Sequence, residues 1–325
     1  MDKVKRSLQK FKNGKAPRPN GHKGETMLNL GELNLAPLKH IYSSCMEIGY
    51  FPKPWKAGKA VMVHKGNGKP YDSPAGYRII QLLDVEGKGL ERIVKERLEK
   101  YIKLEEEQYG FMPDRSTTDV LMRIVEERNT YVLLVCVDIS GAFDNLWWPM
   151  LLTELQNAKI PGNLFRIIKS YLKERRTSYS EAGGKRQVQN TKGCPQGSVL
   201  GPYFWNLVAN TLIKRMKERN AKIYMYADDG TLVIKGNSRK ELERKGQEAI
   251  NIVQAWCKEV KMRLSATKTV MTLIKGRLDT ERPPALKVDG ARIRYEKVTR
   301  ILGLLVDEML SFNQLKGYKG ITMLG

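Results

Sequence analysis

The chain has 325 residues, of which 57 are Lys or Arg and 35 are Asp or Glu, so its formal net charge is +22 at pH 7. Hydrophobic residues make up 41% of the chain, which is enough for a sizeable core and excludes a wholly disordered basic tail. The apolar runs are too short to cross a bilayer, and basic residues rather than an apolar leader follow Met1. A surface of this charge needs an anionic partner, and nucleic acid is the first candidate.

Cysteine and histidine usage narrows the possible chemistry. The four cysteines lie dozens of residues apart, so no pair has the spacing of a zinc knuckle or a redox motif, and we expect no disulfide-linked partner. The three histidines, His22, His40 and His64, all lie near the N-terminus, which argues against a Ser-His-Asp or Cys-His mechanism. Any catalysis would therefore depend on carboxylates, lysines and bound metal.

The N-terminal third of the chain predicts helices separated by a turn-rich segment. Residues to about Asn34 show little periodicity and are predicted to be irregular. Apolar residues at helical spacing predict one helix from Leu38 to Ile48 and another from Leu90 to Ile102. Between them, the Pro- and Gly-rich residues 52–76 predict extended structure around a strand at Ala60–Val63.

Further along the chain, two capping boxes and three strand-like runs stand out. Ser116–Asp119 and Ser238–Glu241 each predict the start of a helix. The apolar run Val132–Val137 predicts a strand, and Ile223–Tyr226 and Thr231–Ile234 predict a hairpin around a segment that contains Asp-Gly. Because strands and helices are mixed without regular βαβ alternation, the predicted fold class is α+β.

Three carboxylates are predicted to lie at the ends of these strands. Asp138 directly follows the apolar run, and Asp228 and Asp229 lie at the tip of the hairpin. An Asp pair in a turn is more often structural than catalytic, because Asp favours turns. If the two strands are neighbours in one sheet, however, the three carboxylates converge at one edge and suit two Mg²⁺ ions about 3.5–4 Å apart. With the basic charge, this arrangement predicts nucleotidyl transfer on a nucleic acid.

The same residues belong to motifs that resemble those of reverse transcriptases. Tyr226-Ala227-Asp228-Asp229 resembles the Tyr-x-Asp-Asp box of that family, VDISGAFDN (Val137–Asn145) is similar to its first acidic box, and GCPQGSVLGP (Gly193–Pro202) to its intervening block. The resemblance is to the polymerases of non-LTR retrotransposons of the insect type, and it runs from about Lys15 to about Leu310 with the blocks in family order.

This resemblance implies a right-hand polymerase architecture, with an antiparallel palm sheet backed by helices, with fingers, and with the thumb largely missing. The implied domains are an N-terminal extension and fingers (1–103), palm (104–146), a fingers or helical insertion (147–192), palm with a primer-contacting hairpin (193–312), and a tail (313–325).

The resemblance also implies a role for individual residues. The three aspartates are the catalytic residues, and Asp138, Ile139, Asp228 and Asp229 form the metal site. Phe143 matches the aromatic that closes the sugar pocket, where a ring would clash with a 2′-hydroxyl and select deoxynucleotides. The other residues implied in nucleotide binding are Lys65, Arg78, Ser140, Gly141, Ala142, Gln196, Gly197 and Lys268. Those implied in template or primer contact are Gly110, Phe111, Arg115, Tyr226, Leu302 and Gly303.

Asp144 directly follows Phe143, and its role is open. We expect its carboxylate, or the side chain of Asn145, to cap the helix that runs through Pro149 and Leu151. This expectation directs Asp144 away from the catalytic cavity.

Some blocks differ from the family pattern. Lys15–Gly21 stands where Gly-Pro-Asp-Gly is usual, Tyr77–Ile80 lacks the usual proline after arginine, Met112 replaces an arginine, and Thr299–Gly303 replaces a Tyr-Leu-Gly hairpin. These differences predict weakened finger and primer contacts around an intact carboxylate triad. We expect a polymerase core cut from a longer open reading frame, or a decaying genomic copy.

The implied function is an RNA-directed DNA polymerase that extends a DNA primer on an RNA template, with dNTPs as substrates and two Mg²⁺ ions, replaceable by Mn²⁺, as cofactors. A second hypothesis is a catalytically inactive nucleic-acid-binding relic, which would have the same charge. A viral RNA-copying polymerase is disfavoured by Phe143. We expect no membrane partner and an intracellular location, nuclear if the protein acts on chromosomal DNA.

Overall fold

A computed structural model describes residues 3–11, 14, 18–66, 68–126, 131–181, 184–274, 282–302 and 304–308. Within these ranges the chain combines helices with β-sheets, so the predicted mixed fold class is confirmed. It divides into two compact units: unit 1 is Met1–Lys103 with Phe143–Trp205, and unit 2 is Leu104–Ala142 with Asn206–Gly325. Among the described helices, none has the length and apolar character needed to cross a bilayer. All four cysteines are free thiols.

Unit 1 contains helices and one sheet. Its elements are α1 (Lys3–Gln9), α2 (Gly24–Leu33), α3 (Ala36–Ile48), β1 (Ala57–His64), β2 (Tyr77–Leu83), α4 (Val85–Leu98), most of α6 (Ala142–Asn145), α7 (Trp148–Asn157), α8 (Gly162–Leu172), β4 (Arg176–Glu181), β5 (Gly184–Gln189) and the start of α9 (Leu200–Glu218). The strand order is β2-β1-β4-β5, in which only the β1–β4 pair is parallel. Aromatic side chains form part of the core, where Tyr171 of α8 meets Phe51 and Phe204 edge-on at 5.0 and 6.0 Å between ring centroids.

Unit 2 contains the sheet that carries the three aspartates. Its elements are α5 (Thr117–Glu126), β3 (Tyr131–Ser140), the rest of α9, β6 (Lys222–Tyr226), β7 (Asp229–Gly236), α10 (Arg239–Glu259), β8 (Arg263–Leu264), β9 (Val270–Ile274), β10 (Lys287–Val288), β11 (Ala291–Arg292), β12 (Arg294–Tyr295), β13 (Val298–Ile301) and β14 (Leu304–Asp307). The main sheet has the order β12-β9-β3-β7-β6, and β8 also pairs with β3. Only the β12–β9 pair in this sheet is parallel.

The central strand β3 is buried on both faces. Its residues Val132–Val135 have no exposed surface, because β7 and β9 flank the strand and α10 packs against it. The helices that pack in this unit begin where the capping boxes predict. Ser116 and Asp119 exchange hydrogen bonds at the start of α5, and Ser238 Oγ accepts from Glu241 N at 3.2 Å at the start of α10.

The prediction of an irregular N-terminal stretch was wrong, because α1 and α2 lie there. Val4 and Leu8 of α1 are buried, and α1 packs against α4, whose Arg92 donates from Nη1 to the carbonyl of Ser7 at 2.7 Å. Two apolar residues give too little periodicity to predict a helix, so these tertiary contacts supply its stability. The polar β4–β5 hairpin was likewise not predicted.

The unit boundaries differ from the predicted domains at two points. The segment predicted to be palm up to residue 146 leaves unit 2 after Ala142. The block from Gly193 to Trp205, predicted to belong to the palm, lies in unit 1, where it hydrogen-bonds with residues 143–148. The predicted tail 313–325, Gly303 and part of Lys15–Gly21 lie outside the described residues.

A close backbone approach in unit 2 supports the β6–β7 hairpin from one side. Tyr109 N donates to Met225 O at 2.8 Å, and Met225 N donates to Glu107 O at 2.9 Å. Gly110 then lies so close to the hairpin that a Cβ on it would overlap the backbone nitrogen of Ala227. Only glycine allows this approach.

We expect Gly110→Ala to destabilise the protein by about 1–3 kcal/mol, because the added methyl group meets backbone atoms that must shift. The measurement is the free energy of unfolding from urea denaturation. Gly162→Ala is the matched control, since its Cβ would meet nothing nearer than Arg166 Nη1 at 3.5 Å. Equal stability of the two variants would contradict the inferred role of Gly110.

Candidate active site

The structure brings Asp138 and Asp229 together as direct partners in the antiparallel pairing of β3 with β7. Tyr226 of β6 pairs with Asp229 on the other side, so the turn between β6 and β7 consists of Ala227 and Asp228. The strand that carries Asp138 therefore lies beside the hairpin with its C-terminal end at the tip, which confirms the predicted placement. One detail was wrong: Asp229 is the first residue of β7 and not a turn residue.

Asp229 is electrostatically crowded by the other two aspartates. The pKa of Asp229 is raised from 3.8 to about 6. The largest cause is desolvation of the carboxylate, followed by the negative charges of Asp228 and Asp138. Asp228 and Asp229 are both exposed at the end of the hairpin. Like charges directly opposite one another in a sheet repel, so a bound cation would relieve this arrangement.

Asp138 has one oxygen that suits a cation. Its Oδ2 is shielded from solvent and receives no hydrogen bond of good geometry, although Lys268 Nζ lies 3.2 Å away. The turn that carries Lys268 is attached to the strand end, because Ser265 N donates to Asp138 O at 2.9 Å. The ammonium group thus partly balances the charge at Oδ2, the oxygen that lacks a hydrogen-bond partner.

Carboxylate oxygens are the ligands that Mg²⁺ prefers, so Asp138 and Asp229 fit a divalent cation in chemistry and in placement. In the described part of the chain, no three acidic, histidine or cysteine side chains are oriented to hold one ion.

The residues that follow Asp138 end the strand and begin a short helix. Ile139 and Ser140 pair with Leu264 and Arg263 of β8, and the Ile139 side chain is buried. Since its side chain is a hydrocarbon, only the main chain of Ile139 can contribute to a metal site. Gly141 is exposed, and Ala142 is buried at the start of α6.

Of the residues predicted to contact template or primer, several support the hairpin in unit 2. Arg115 donates from Nη1 to the carbonyls of Glu106 and Gln108 at 2.8 and 2.6 Å, so it holds the loop that precedes Gly110. Phe111 is exposed, with a left-handed φ of 60°. Asn206, which the sequence did not single out, is buried and donates from Nδ2 to Gly110 O at 2.7 Å.

The predicted primer-contacting hairpin is formed by β13 and β14, whose strands pair antiparallel. Leu302 follows β13 with a φ of 51° and packs against the core of unit 2. Its neighbour Gly303 is outside the described residues. The hairpin is present, and its contact with a primer stays a prediction.

In unit 1, the segment that contains Phe143 is bound to the block that contains Gln196. Cys194 N donates to Phe143 O, Gly193 N to Leu146 O, and Trp148 Nε1 to Gly193 O, each at 2.8 Å. The ring of Phe143 is half-buried, and its centroid lies 6.4 Å from the centroid of the Trp205 ring. These hydrogen bonds fix the backbone around Phe143, the residue predicted to close the sugar pocket.

The block is also attached to the sheet of unit 1. Gln81 N donates to Gln196 O at 2.7 Å, and a Cβ on Gly197 would lie 2.6 Å from Gln81 O. With a φ of 125°, Gly197 adopts a conformation that other residues rarely reach. Lys65 directly follows β1, and Arg78 lies in β2, where it pairs with Val63 of β1. Both side chains are exposed. That Phe143, Gln196 and Arg78 border the cavity of the three aspartates stays a prediction.

The expectation for Asp144 was wrong. Its carboxylate caps no helix; α7 begins after Trp147 without a side-chain cap. Instead, Gln196 Nε2 donates to both oxygens of Asp144, at 3.0 and 3.2 Å. The contact joins residues 52 positions apart, which a local capping pattern could not reveal.

Glu91 is a further residue that the sequence did not single out. Its buried carboxylate accepts from Val199 N at 2.6 Å and Leu200 N at 2.9 Å, so it caps the N-terminus of α9 immediately after the Gln196 block. Burial raises the pKa of Glu91, and the charge of Arg175 and the two N–H groups oppose that rise. The sequence offered one signal for this role, because a glutamate on the apolar face of a predicted helix has to be buried with a partner.

Comparison with known proteins agrees with these motifs. The sequence pattern of the family described as "Reverse transcriptase (RNA-dependent DNA polymerase)" matches residues 63–323. The chain is 35% identical over 319 residues to the "Retrovirus-related Pol polyprotein from type-1 retrotransposable element R1" of Bradysia coprophila, covering 96% of this chain and 32% of that protein.

Two Drosophila melanogaster proteins are also similar. The "Putative 115 kDa protein in type-1 retrotransposable element R1DM" is 35% identical, over 85% of this chain and 27% of its own length. The "RNA-directed DNA polymerase from mobile element jockey" is 30% identical, over 97% of this chain and 36% of its own length. The chain thus spans about a third of the length of these relatives. Since the family pattern covers most of the chain, and the carboxylates of its acidic boxes meet in one sheet, the chain belongs to the reverse transcriptase family of non-LTR retrotransposons.

Proposed function

We propose that this chain is the core of an RNA-directed DNA polymerase that extends a DNA 3′-hydroxyl on an RNA template. Unit 2 corresponds to the palm and unit 1 to the fingers of a right-hand polymerase. The observation that carries the proposal is the register that sets Asp138 opposite Asp229, with Asp228 in the adjoining turn. Unit 1 holds 30 of the 57 basic residues but 14 of the 35 acidic ones, so most of the charge available for nucleic-acid phosphates lies there.

In this proposal Asp138, Asp228, Asp229 and the main chain of Ile139 hold two Mg²⁺ ions, or Mn²⁺ in their place. When bound, the ions activate the attacking hydroxyl and stabilise the leaving pyrophosphate. Lys268, whose ammonium is exposed beside Asp138, is the proposed proton donor to the leaving group.

The remaining assignments concern the nucleotide and the primed template. Lys65 and Arg78 bind the triphosphate, Ser140, Gly141 and Ala142 also contribute to its binding, and Gln196 and Gly197 contact the incoming nucleotide. Phe143 excludes the 2′-hydroxyl. Template and primer are contacted by Gly110, Phe111, Arg115, Tyr226, Leu302 and Gly303. A polymerase that primes from chromosomal DNA would act in the nucleus.

We expect the protein to extend a DNA primer annealed to RNA when Mg²⁺ and dNTPs are supplied. Asp228→Ala should lower the rate by at least about a thousandfold, because it removes a ligand of a metal ion. That ion would stabilise the charge that develops in the transition state by several kcal/mol. The measurement is primer extension resolved on a gel. Glu218→Gln, an exposed carboxylate of unit 2 outside the site, is the matched control and should extend normally.

The same experiment separates the polymerase from the inactive relic. If the unmodified protein binds primed template tightly in a filter assay yet extends nothing in Mg²⁺ or Mn²⁺, the relic hypothesis is correct.

Phe143→Ala should preserve DNA synthesis and raise the relative use of ribonucleotides by at least about tenfold, because only the clash with the 2′-hydroxyl is removed. The measurement is kcat/KM for a matched rNTP and dNTP pair. Phe165→Ala removes a half-buried ring elsewhere in unit 1 and should leave that ratio unchanged. Loss of both fold and activity in Phe143→Ala would instead identify the ring as core packing.

The raised pKa of Asp229 predicts a pH-dependent stability. Because the folded chain binds this proton more tightly than the unfolded chain, stability falls as the pH rises from about 4 to about 6 and stays lower above that range. Without divalent cations, Asp229→Asn should therefore melt at a higher temperature than the unmodified protein at pH 7.5. The difference should vanish near pH 4.

Thermal melts from pH 4 to 8 test this expectation, and adding Mg²⁺ at pH 7.5 should raise the melting temperature of the unmodified protein more than that of the variant. A difference between the two proteins that is constant across pH would show that Asp229 is not crowded by its neighbours.

A further inference from the structure

A carboxylate and an amide form an unexpected pair in unit 1. Gln196 Nε2 lies 3.0 Å from Asp144 Oδ1 and 3.2 Å from Asp144 Oδ2, so one amide nitrogen faces both oxygens. Hydrogen bonds to an ionised group are stronger than those between neutral groups. Asp144 is exposed and Gln196 is half-buried, so the pair lies at the surface of the unit rather than within its core.

The backbone on both sides of the pair is held in place. Asp144 belongs to α6, whose Phe143 carbonyl accepts from Cys194 N at 2.8 Å. Gln196 has its own carbonyl bonded to Gln81 N at 2.7 Å. The two side chains therefore meet because their main chains are fixed, and the contact does not depend on two freely moving surface groups.

The pair determines which end of the Gln196 amide is available to a ligand. A carboxylate only accepts hydrogen bonds, so the atom of Gln196 that faces Asp144 has to be the NH₂ group. The amide oxygen Oε1 then points away from Asp144 and presents an acceptor. If the amide turned over, its single oxygen would face the two carboxylate oxygens and be repelled by them.

We propose that Asp144 is a positioning residue for nucleotide binding: it fixes the amide of Gln196 so that Oε1 accepts a hydrogen bond from a donor group of the incoming nucleotide. This inference rests on the proposed polymerase function and on the placement of Gln196 at the nucleotide. Asp144 itself touches no substrate. Its effect on the reaction passes through Gln196 alone.

A double-mutant cycle tests the proposal by measuring KM for the dNTP and kcat in primer extension. Asp144→Ala should raise KM for the dNTP by about 5- to 20-fold, as expected when a charge-assisted hydrogen bond that orders a ligand contact is lost. Asp144→Asn should show a smaller rise, since its amide oxygen still accepts from Gln196 Nε2. In a Gln196→Ala background, Asp144→Ala should change KM by less than twofold, about the accuracy of additivity between independent sites.

Two further measurements exclude a merely structural role. The melting temperature and the dissociation constant for primed template should be the same in Asp144→Ala as in the unmodified protein. Glu47→Ala removes an exposed carboxylate of α3 in the same unit and should leave KM unchanged. Multiplicative effects of the Asp144 and Gln196 substitutions, or an unchanged KM in Asp144→Ala, would overturn the proposal while leaving the polymerase function intact. An unmodified protein without extension activity would overturn both.

Discussion

The antiparallel register between β3 and β7 is the constraint on which the candidate active site depends. It sets Asp138 opposite Asp229 and leaves Asp228 in a two-residue turn. Side chains alternate between the two faces of a strand, so a slip of one residue would move every buried side chain of β3 to the opposite face. Because most residues of both strands are buried where they pair, packing in the core fixes the register, and the position of the carboxylates follows from it.

This arrangement is unfavourable at the site and is stabilised elsewhere. Like charges opposite one another cost about 0.2–1 kcal/mol, and the left-handed conformation of Ala227, with φ at 57°, costs about 1–2 kcal/mol. Burying one Val or Leu of β3 stabilises the fold by about 1.5–3 kcal/mol, and Val132–Val135 are all fully buried. The core therefore outweighs the strain, and the contacts of Gly110 and Arg115 hold the turn in the conformation that carries it.

Charge is distributed unequally between the two units. Unit 2 holds 27 basic and 21 acidic residues, and unit 1 holds 30 and 14. A nearly balanced unit can contain three crowded carboxylates whose charge a cation neutralises, whereas a strongly basic unit attracts phosphates from solution. The carboxylate chemistry and the electrostatic attraction for a polyanion are thus concentrated in different parts of the chain.

The amino-acid sequence by itself determined the mixed fold class, the helices α5 and α10 with their capping boxes, and the β6–β7 hairpin. Each of these depends on local periodicity, a cap or a turn signal. The sequence also set each aspartate at a strand end, but it predicted their meeting only if the strands are neighbours, and the pairing of β3 with β7 supplies that condition. Only the tertiary structure decided that α1 forms, that Gly110 supports Ala227, that Glu91 caps α9, and that Asp144 binds Gln196 rather than a helix terminus. In each case the stabilising partner is distant in sequence, so the short-range pattern of the chain does not specify it.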